Sequence, residues 1–393
     1  MLHGADGVLV SRLTLATILM VAWGMVNGFA VPENHSAPAS APVSVGAIRW
    51  DAWHGPASDV GLMVEKTLAP AHWHYRIPFY GRVIAKDAVE IRGDTRDVMD
   101  REILYAHEAG LDYWAFVVYP EEHALSRGLQ LYLSSSLKDR IGFCLILQGG
   151  WEGRGGQAAW EKKANRYVNL LRDPMYQKTP QGRPLIYLYS VEGLVGTDRF
   201  DSWEEARAAF DRFRDMVRRE GLPDPYIVAQ GWSPEILAQQ ADTLGLDAIG
   251  AYASNGGGRA APYRELAAHT ENWWDAFAAT GRQVVPLATA GWDMRPRIET
   301  PVPWVKDGDI EQYYALPTPE ELAGHVAKAV AWCQNHPDAA PARTVLIYAW
   351  NEFDEGGWIC PTLNEGTARL DALRNALMRG KRDEGKGSSA GLR

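Results

Sequence analysis

Cysteine is scarce in this sequence, with three in 393 residues: Cys144, Cys333 and Cys360. Three thiols cannot all pair and none stands in a CxxC arrangement, so neither a disulfide framework nor a cysteine-based zinc site is expected. Cys144 sits in an apolar run and reads as a buried thiol, while a single Cys333–Cys360 bridge stays open for an exported protein. Basic clusters are also lacking. The balance is 40 Lys+Arg against 49 Asp+Glu, a net charge of −9, which argues against a nucleic-acid partner. There is no GxGxxG and no GxxxxGK[ST], so the glycine loops that cradle phosphates are missing. At 46% hydrophobic and 23% charged, the composition excludes a disordered chain and a coiled coil. Phenylalanine is sparse too: 9 Phe stand against 16 Trp and 16 Tyr, a bias toward rings that carry a polar handle.

One long apolar segment is present, at 13–30. Arg12 precedes it and Gly28-Phe29-Ala30 ends it, so residues 1–30 read as a secretory signal peptide, or as an N-terminal anchor if uncleaved. Residues 31–44, rich in Pro, Ala and Ser, read as a flexible linker. Residues 45–379 form the expected catalytic domain, and 380–393 a charged, Gly/Ser-rich disordered tail. The expectation is an exported monomer, periplasmic or extracellular, with no stable membrane span after cleavage of the leader.

Within the body, short apolar runs alternate with amphipathic segments. Strands are expected at 45–51, 111–119, 141–148, 184–190, 226–231, 246–253, 284–291 and 344–351. Helices are expected at 98–110, 125–137, 158–172, 203–220, 234–244, 263–280, 319–335 and 367–378. Runs such as FCLIL, PLIYLY and VLIYAW have the continuous apolar character of buried parallel strands. Eight strand–helix units indicate an α/β fold, a single-domain (β/α)8 TIM barrel, in preference to a doubly wound sheet. Two long β/α connections, 52–97 and 292–318, fall on the face where barrel enzymes build their sites.

The strand ends on that face are the candidates for chemistry. In chain order they offer Asp51, Trp53 and His54; Tyr119; Gln148 and Trp151; Tyr189; Gln230 and Trp232; Tyr252 and Asn255; Trp292 and Asp293; then Asn351 and Trp358. An aromatic ring beside an amide or acid, repeated around one mouth, suits a carbohydrate: rings stack on the apolar faces of a sugar while polar groups bond its hydroxyls. The eighth end is the densest, with Glu352, Asp354 and Glu355 directly after an apolar strand. Acids so placed push one another's pKa upward, and glycoside hydrolysis needs two carboxyls in different ionisation states. His72 and His74 have no third ligand at suitable spacing, so no metal and no cofactor are expected.

Four stretches resemble the glycoside hydrolase family 99-like barrels, including the WbsX-like group. They are ILYAHEAGLDYWAFVVY, DPMY followed by GRPLIY, GWDMRPR, and WNEFDEG, in one order along the chain. The resemblance implies retaining, endo-α-mannosidase-like chemistry. Glu352 would act as base on the substrate's 2-hydroxyl and Glu355 as acid/base at the glycosidic oxygen. Two alternatives stay open. One is a glycosyl-transferring protein of surface-polysaccharide assembly. The other is a non-catalytic carbohydrate-binding barrel, which a salt-bridged carboxyl pair closed to solvent would favour.

Overall fold

The computed structural model describes residues 41–55, 58–305 and 307–389, with no account of side chains after 378. The expected leader, most of the linker and the last four residues of the tail lie outside the described residues.

Nine parallel strands make one sheet: β1 (Ser44–Arg49), β2 (Tyr113–Val117), β3 (Gly142–Gln148), β4 (Leu185–Tyr189), β5 (Tyr226–Gln230), β6 (Ala248–Gly250), β7 (Gln283–Val284), β8 (Leu287–Thr289) and β9 (Thr344–Tyr348). They run in the order β8-β9-β1-β2-β3-β4-β5-β6-β7. β7 and β8 are the two halves of the expected seventh strand. One half pairs with β6 and the other with β9. Between them, Val285 N–H donates to Ile249 at 3.1 Å on one side, and Leu346 N–H donates to the Pro286 carbonyl at 3.1 Å on the other. The ring therefore closes as a (β/α)8 barrel. The break follows from Pro286, which has no N–H to give a ladder.

Burial explains the continuous apolar runs, since β2 and β9 are buried at every residue. The polar groups inside are paired: Tyr113 Oη meets Tyr187 Oη at 2.9 Å and Thr344 Oγ1 at 2.8 Å. The Tyr113 ring occupies the space above Gly46, where any side chain would collide with it. Helices Pro234–Leu244 and Pro319–Asn335 match expectation because their start signals are local. The Ser233 side chain caps the first, Thr318 and Glu321 form a capping box on the second, and each has Pro in its first turn.

The strand at 344–351 ends at Tyr348, and Asn351–Glu352 pairs instead with Gly357–Trp358 in a small antiparallel hairpin. The long connection after β1 builds a helix (Asp59–Thr67) and a hairpin (Gly81–Ala85 with Ala88–Ile91). The last helix is Ala368–Ser389. All three cysteines are free and buried. Cys333 contacts the Thr344 carbonyl at the start of β9, whereas Cys360 lies near Glu102, which bonds Arg49 at the end of β1. Because Ser44 pairs with Thr344 in parallel register, these are opposite ends of the barrel, and the Cys333–Cys360 bridge does not form. No described helix is long and apolar enough to cross a membrane.

Candidate active site

The site is built from β9 outward. After Tyr348 the chain turns through Asn351–Glu352 and a single 3-10 turn, Phe353–Glu355, closed by Gly356 at φ 80°. A side chain at Gly356 would collide with the Asp293 backbone, so the turn packs directly on the loop that follows β8. Asp293 N–H donates to the Glu355 carbonyl at 2.7 Å across that contact. This brings Glu352, Asp354 and Glu355 to one point at the mouth of the barrel.

Arg297, only 3% exposed, neutralises part of that charge. Its guanidinium forks onto Asp354, with Nε–Oδ2 at 2.7 Å and Nη2–Oδ1 at 2.9 Å. Nη2 also reaches Glu352 Oε2 at 3.2 Å, and Nη1 donates to Glu355 Oε1. Tyr348 Oη donates to the other oxygen of Glu355. One cation thus faces three carboxyls. Burial pushes the Glu352 carboxyl well above the usual range, the charges of Glu355 and Asp354 add to that rise, and Arg297 opposes it. Glu352 therefore tends to keep its proton.

Above this floor opens a cavity of about 590 Å³, lined by both Glu352 and Glu355. The pair is salt-bridged but not closed to solvent, and the Glu355 side chain is 15% exposed. Tyr189 and Tyr252 lean together with centroids 4.3 Å apart, and Trp292 lies 6.0 Å from the Tyr348 ring. Trp50 meets Trp304 edge-on at 6.1 Å, and its Nε1 donates to Tyr119 Oη at 2.7 Å. Burial pushes the Tyr119 and Tyr189 hydroxyls up to about 12, so both remain donors at neutral pH. The chemistry available is two carboxyls at the bottom of an aromatic, hydroxyl-bearing well.

Of the expected site residues, Tyr119, Gln148, Trp151, Tyr189, Trp232, Tyr252, Trp292, Glu352 and Glu355 line this cavity. The rest do not. Asp51 and His54 are buried beneath the floor around Arg49 and Glu102: Arg49 bonds Asp51 at 2.9 Å and Glu102 at 2.8 Å, and His54 Nε2 lies 2.8 Å from Glu102. Trp53 Nε1 donates to the Asn351 carbonyl at 2.8 Å. Asn351 accepts from Trp50 N–H at 3.0 Å and donates to Asp51 at 3.3 Å, bracing the strand that carries Glu352. Asp293 is held by Arg76 and Arg295. Trp358 is fully buried under the Arg369 guanidinium, 4.2 Å from its ring. Gln230 is buried and donates to the Ala251 carbonyl at 3.2 Å, and the Asn255 side chain accepts from Gly257 N–H at 3.0 Å. None of these eight lines the opening, and the polar groups of Asp51, Trp53, His54, Asn351 and Asp293 brace the frame.

Sequence reasoning missed Arg297, Trp50, Trp304 and His123 as cavity residues. A signal existed for Arg297. Three acids packed after a buried strand demand a cation, and GWDMRPR carries two arginines. Trp304 comes from a connection without periodicity and left none. His72 bonds Glu299 at 2.7 Å and His74 the Ala69 carbonyl at 2.9 Å, so each is occupied locally. Among the described residues no group of His, Cys, Asp and Glu is placed to hold a metal ion.

The family described as glycosyltransferase WbsX matches residues 151–373, which include β4 to β9 and all three clustered carboxyls. The chain belongs to this WbsX family. A curated relative, the uncharacterized protein WxcX of Xanthomonas campestris pv. campestris, is 25% identical over 384 residues, covering 89% of this chain and 49% of its own. The chain spans about half the length of the curated relatives it matches. Among solved structures, a GH99 endo-alpha-mannosidase from Bacteroides thetaiotaomicron superposes with a TM-score of 0.53 and 15% identity, over 88% of this chain and 98% of that one. A second structure of a GH99 endo-alpha-mannosidase from that organism gives 0.52 and 14%, over 87% and 98%. At such identity the likeness is one of fold, the (β/α)8 barrel.

Proposed function

We propose that this WbsX-family chain breaks glycosidic bonds in a glycan seated in the aromatic cavity, with Glu352 and Glu355 as the two working carboxyls. The observation that carries this reading is that both groups reach one cavity floor in different settings. Glu352 is buried and inclined to hold its proton, while Glu355 accepts hydrogen bonds from Arg297 and Tyr348. Glycoside chemistry needs that asymmetry. The resting arrangement puts the proton on Glu352, the residue expected to serve as base. A sugar 2-hydroxyl donating to Glu352 favours its charged form, so substrate entry moves one proton toward Glu355. Glu352 then takes the 2-hydroxyl proton as that oxygen attacks the anomeric carbon. Glu355 protonates the leaving oxygen as its bond to that carbon breaks. In the second half an incoming hydroxyl opens the anhydro-sugar and gives its proton to Glu355, while the 2-oxygen recovers a proton from Glu352.

Water as the incoming group gives hydrolysis and a sugar hydroxyl gives transfer. The family's description as a glycosyltransferase favours testing the second route with equal care. A glycan-library screen that includes α-mannosides, with product anomers followed by NMR, distinguishes them. Hydrolysis yields a new reducing end, and transfer yields a longer oligosaccharide only when an acceptor is added. Binding with neither product, in wild type as in Glu355→Gln, leaves the non-catalytic barrel.

A further inference from the structure

Beside the main cavity a second pocket of about 310 Å³ opens, and Gln148, Trp151 and Tyr189 belong to both. The two openings share that wall. The walls peculiar to the second pocket include Arg154 and Arg199 and no carboxylate. Arg154 is exposed and lies over the Trp151 ring, 4.7 Å from its centroid. Arg199 gives one N–H to the Gly193 carbonyl at 2.6 Å. Neither guanidinium forms an ion pair among the described residues. Several enclosed arginines are matched to acids, Arg49 to Glu102, Arg76 to Asp293 and Arg297 to its three carboxyls, while Arg343 bonds the backbone carbonyls of Ala41 and Cys333. In a chain with nine surplus negative charges, two unmatched cations in one pocket stand out. Two acids occur on the same loops. Glu152 is buried and accepts from Tyr167 Oη at 2.8 Å, and Glu192 is exposed without an ion pair among the described residues.

The two arginines sit on a fixed frame. A side chain at Gly149 would run into the Ser190 carbonyl, and one at Gly153 into the Leu194 carbonyl, so the loops after β3 and β4 press backbone on backbone. Gly155 N–H donates to the Asp198 carbonyl at 2.9 Å, and Lys163 Nζ ties down the carbonyls of Glu152 at 3.1 Å and Arg154 at 3.2 Å. Ser190, in the pocket wall, holds a left-handed φ of 52°. Backbone held so firmly beside a polar pocket is a mark of sites that must be pre-formed.

We propose that this pocket is a subsite for an anionic substituent of the glycan. A carboxylate, phosphate or sulfate lies between Arg154 and Arg199, and the sugar ring that bears it rests against Trp151. The proposal depends on the glycan-binding reading of the main cavity and adds the charge of the ligand to it. Guanidinium forks suit these anions because each presents paired donors to paired oxygens.

The test is a binding array in which each oligosaccharide backbone is printed in neutral, uronate, phosphorylated and sulfated forms, and the arms identify which anion is preferred. Wild-type protein is expected to retain an acidic form about tenfold better than its neutral counterpart, with the preference shrinking as salt is raised. Arg154→Ala and Arg199→Gln should each lower the ratio of acidic to neutral binding, and Arg154→Glu should reverse it. Arg154 is exposed, so its variants report on binding without unfolding the loop. Neutral and acidic forms bound equally by wild type would overturn the subsite and leave the main-cavity reading intact. A preference that survives in Arg154→Glu would overturn it as well. No binding of any oligosaccharide would overturn both.

Discussion

Two arginine clusters lie at the mouth of this barrel, and they have opposite characters. Around Arg49, the acids Asp51 and Glu102 and the ring of His54 close on one another with no opening to the cavity. Although burial opposes it, the Arg49 and His54 charges bring the Glu102 carboxyl down to about 2, and Trp350 Nε1 adds a bond at 2.9 Å. Around Arg297, three acids compete for one cation and the assembly faces a cavity, so Glu352 is driven the other way. The ratio of cations to carboxyls, together with access, separates a structural knot from a reactive one.

The sharpest break in this comparison comes from the open cluster. Glu355→Gln should lower turnover on the identified glycan about 10³-fold, equivalent to roughly 4 kcal/mol of barrel-mouth chemistry, with stability and binding preserved. Near-normal turnover in steady-state assays would remove Glu355 from the working pair. The closed cluster should respond in stability. Glu102→Gln leaves Arg49 buried without its carboxylate and should cost about 3 kcal/mol in denaturant unfolding at neutral pH. Because the Glu102 carboxyl falls to about 2 on folding, its contribution is complete above the unfolded value of 4.5 and is lost as pH drops toward 2. The gap between variant and wild type should close over that window.

A third buried acid sharpens the contrast because no cation bonds its carboxyl. Burial raises Glu152 to about 7, with only Tyr167 and the more distant Lys163 and Arg166 charges to offset it. A folded value above the unfolded one means that stability falls as pH climbs from 4.5 to 7. Glu152→Gln should therefore be more stable than wild type by about 2 kcal/mol above pH 7, the gain vanishing below pH 4.5 in melting curves. The smallest effect is expected at the rim. Trp304 is 40% exposed, and Trp304→Ala should raise KM about threefold while kcat holds. An equal fall in kcat would mean that Trp304 acts on the reacting bond.

Much of the frame was legible. Ser233-Pro234 and Thr318-Pro319 start their helices with local signals, and Gly110, Gly221 and Gly245 all take positive φ. The seventh strand was found, but its break was not credited to Pro286. In the site, the aromatic ends at Tyr119, Trp151, Tyr189, Trp232, Tyr252 and Trp292 line one cavity. Asp51, His54, Asn351 and Asp293 were not separable from them, because adjacent residues at a strand end point to different sides and only register tells which side is open.

The sequence by itself determined the eight β/α units, the face that carries the site and the crowding of acids after β9, because periodicity, capping and local charge density are short-range properties. Tertiary structure alone decided which acids are matched. Arg49 finds Glu102 across 53 residues, and Arg297 finds Glu352 and Glu355 across 55 and 58. Electrostatic pairing depends on distance in space, and barrel closure sets that distance.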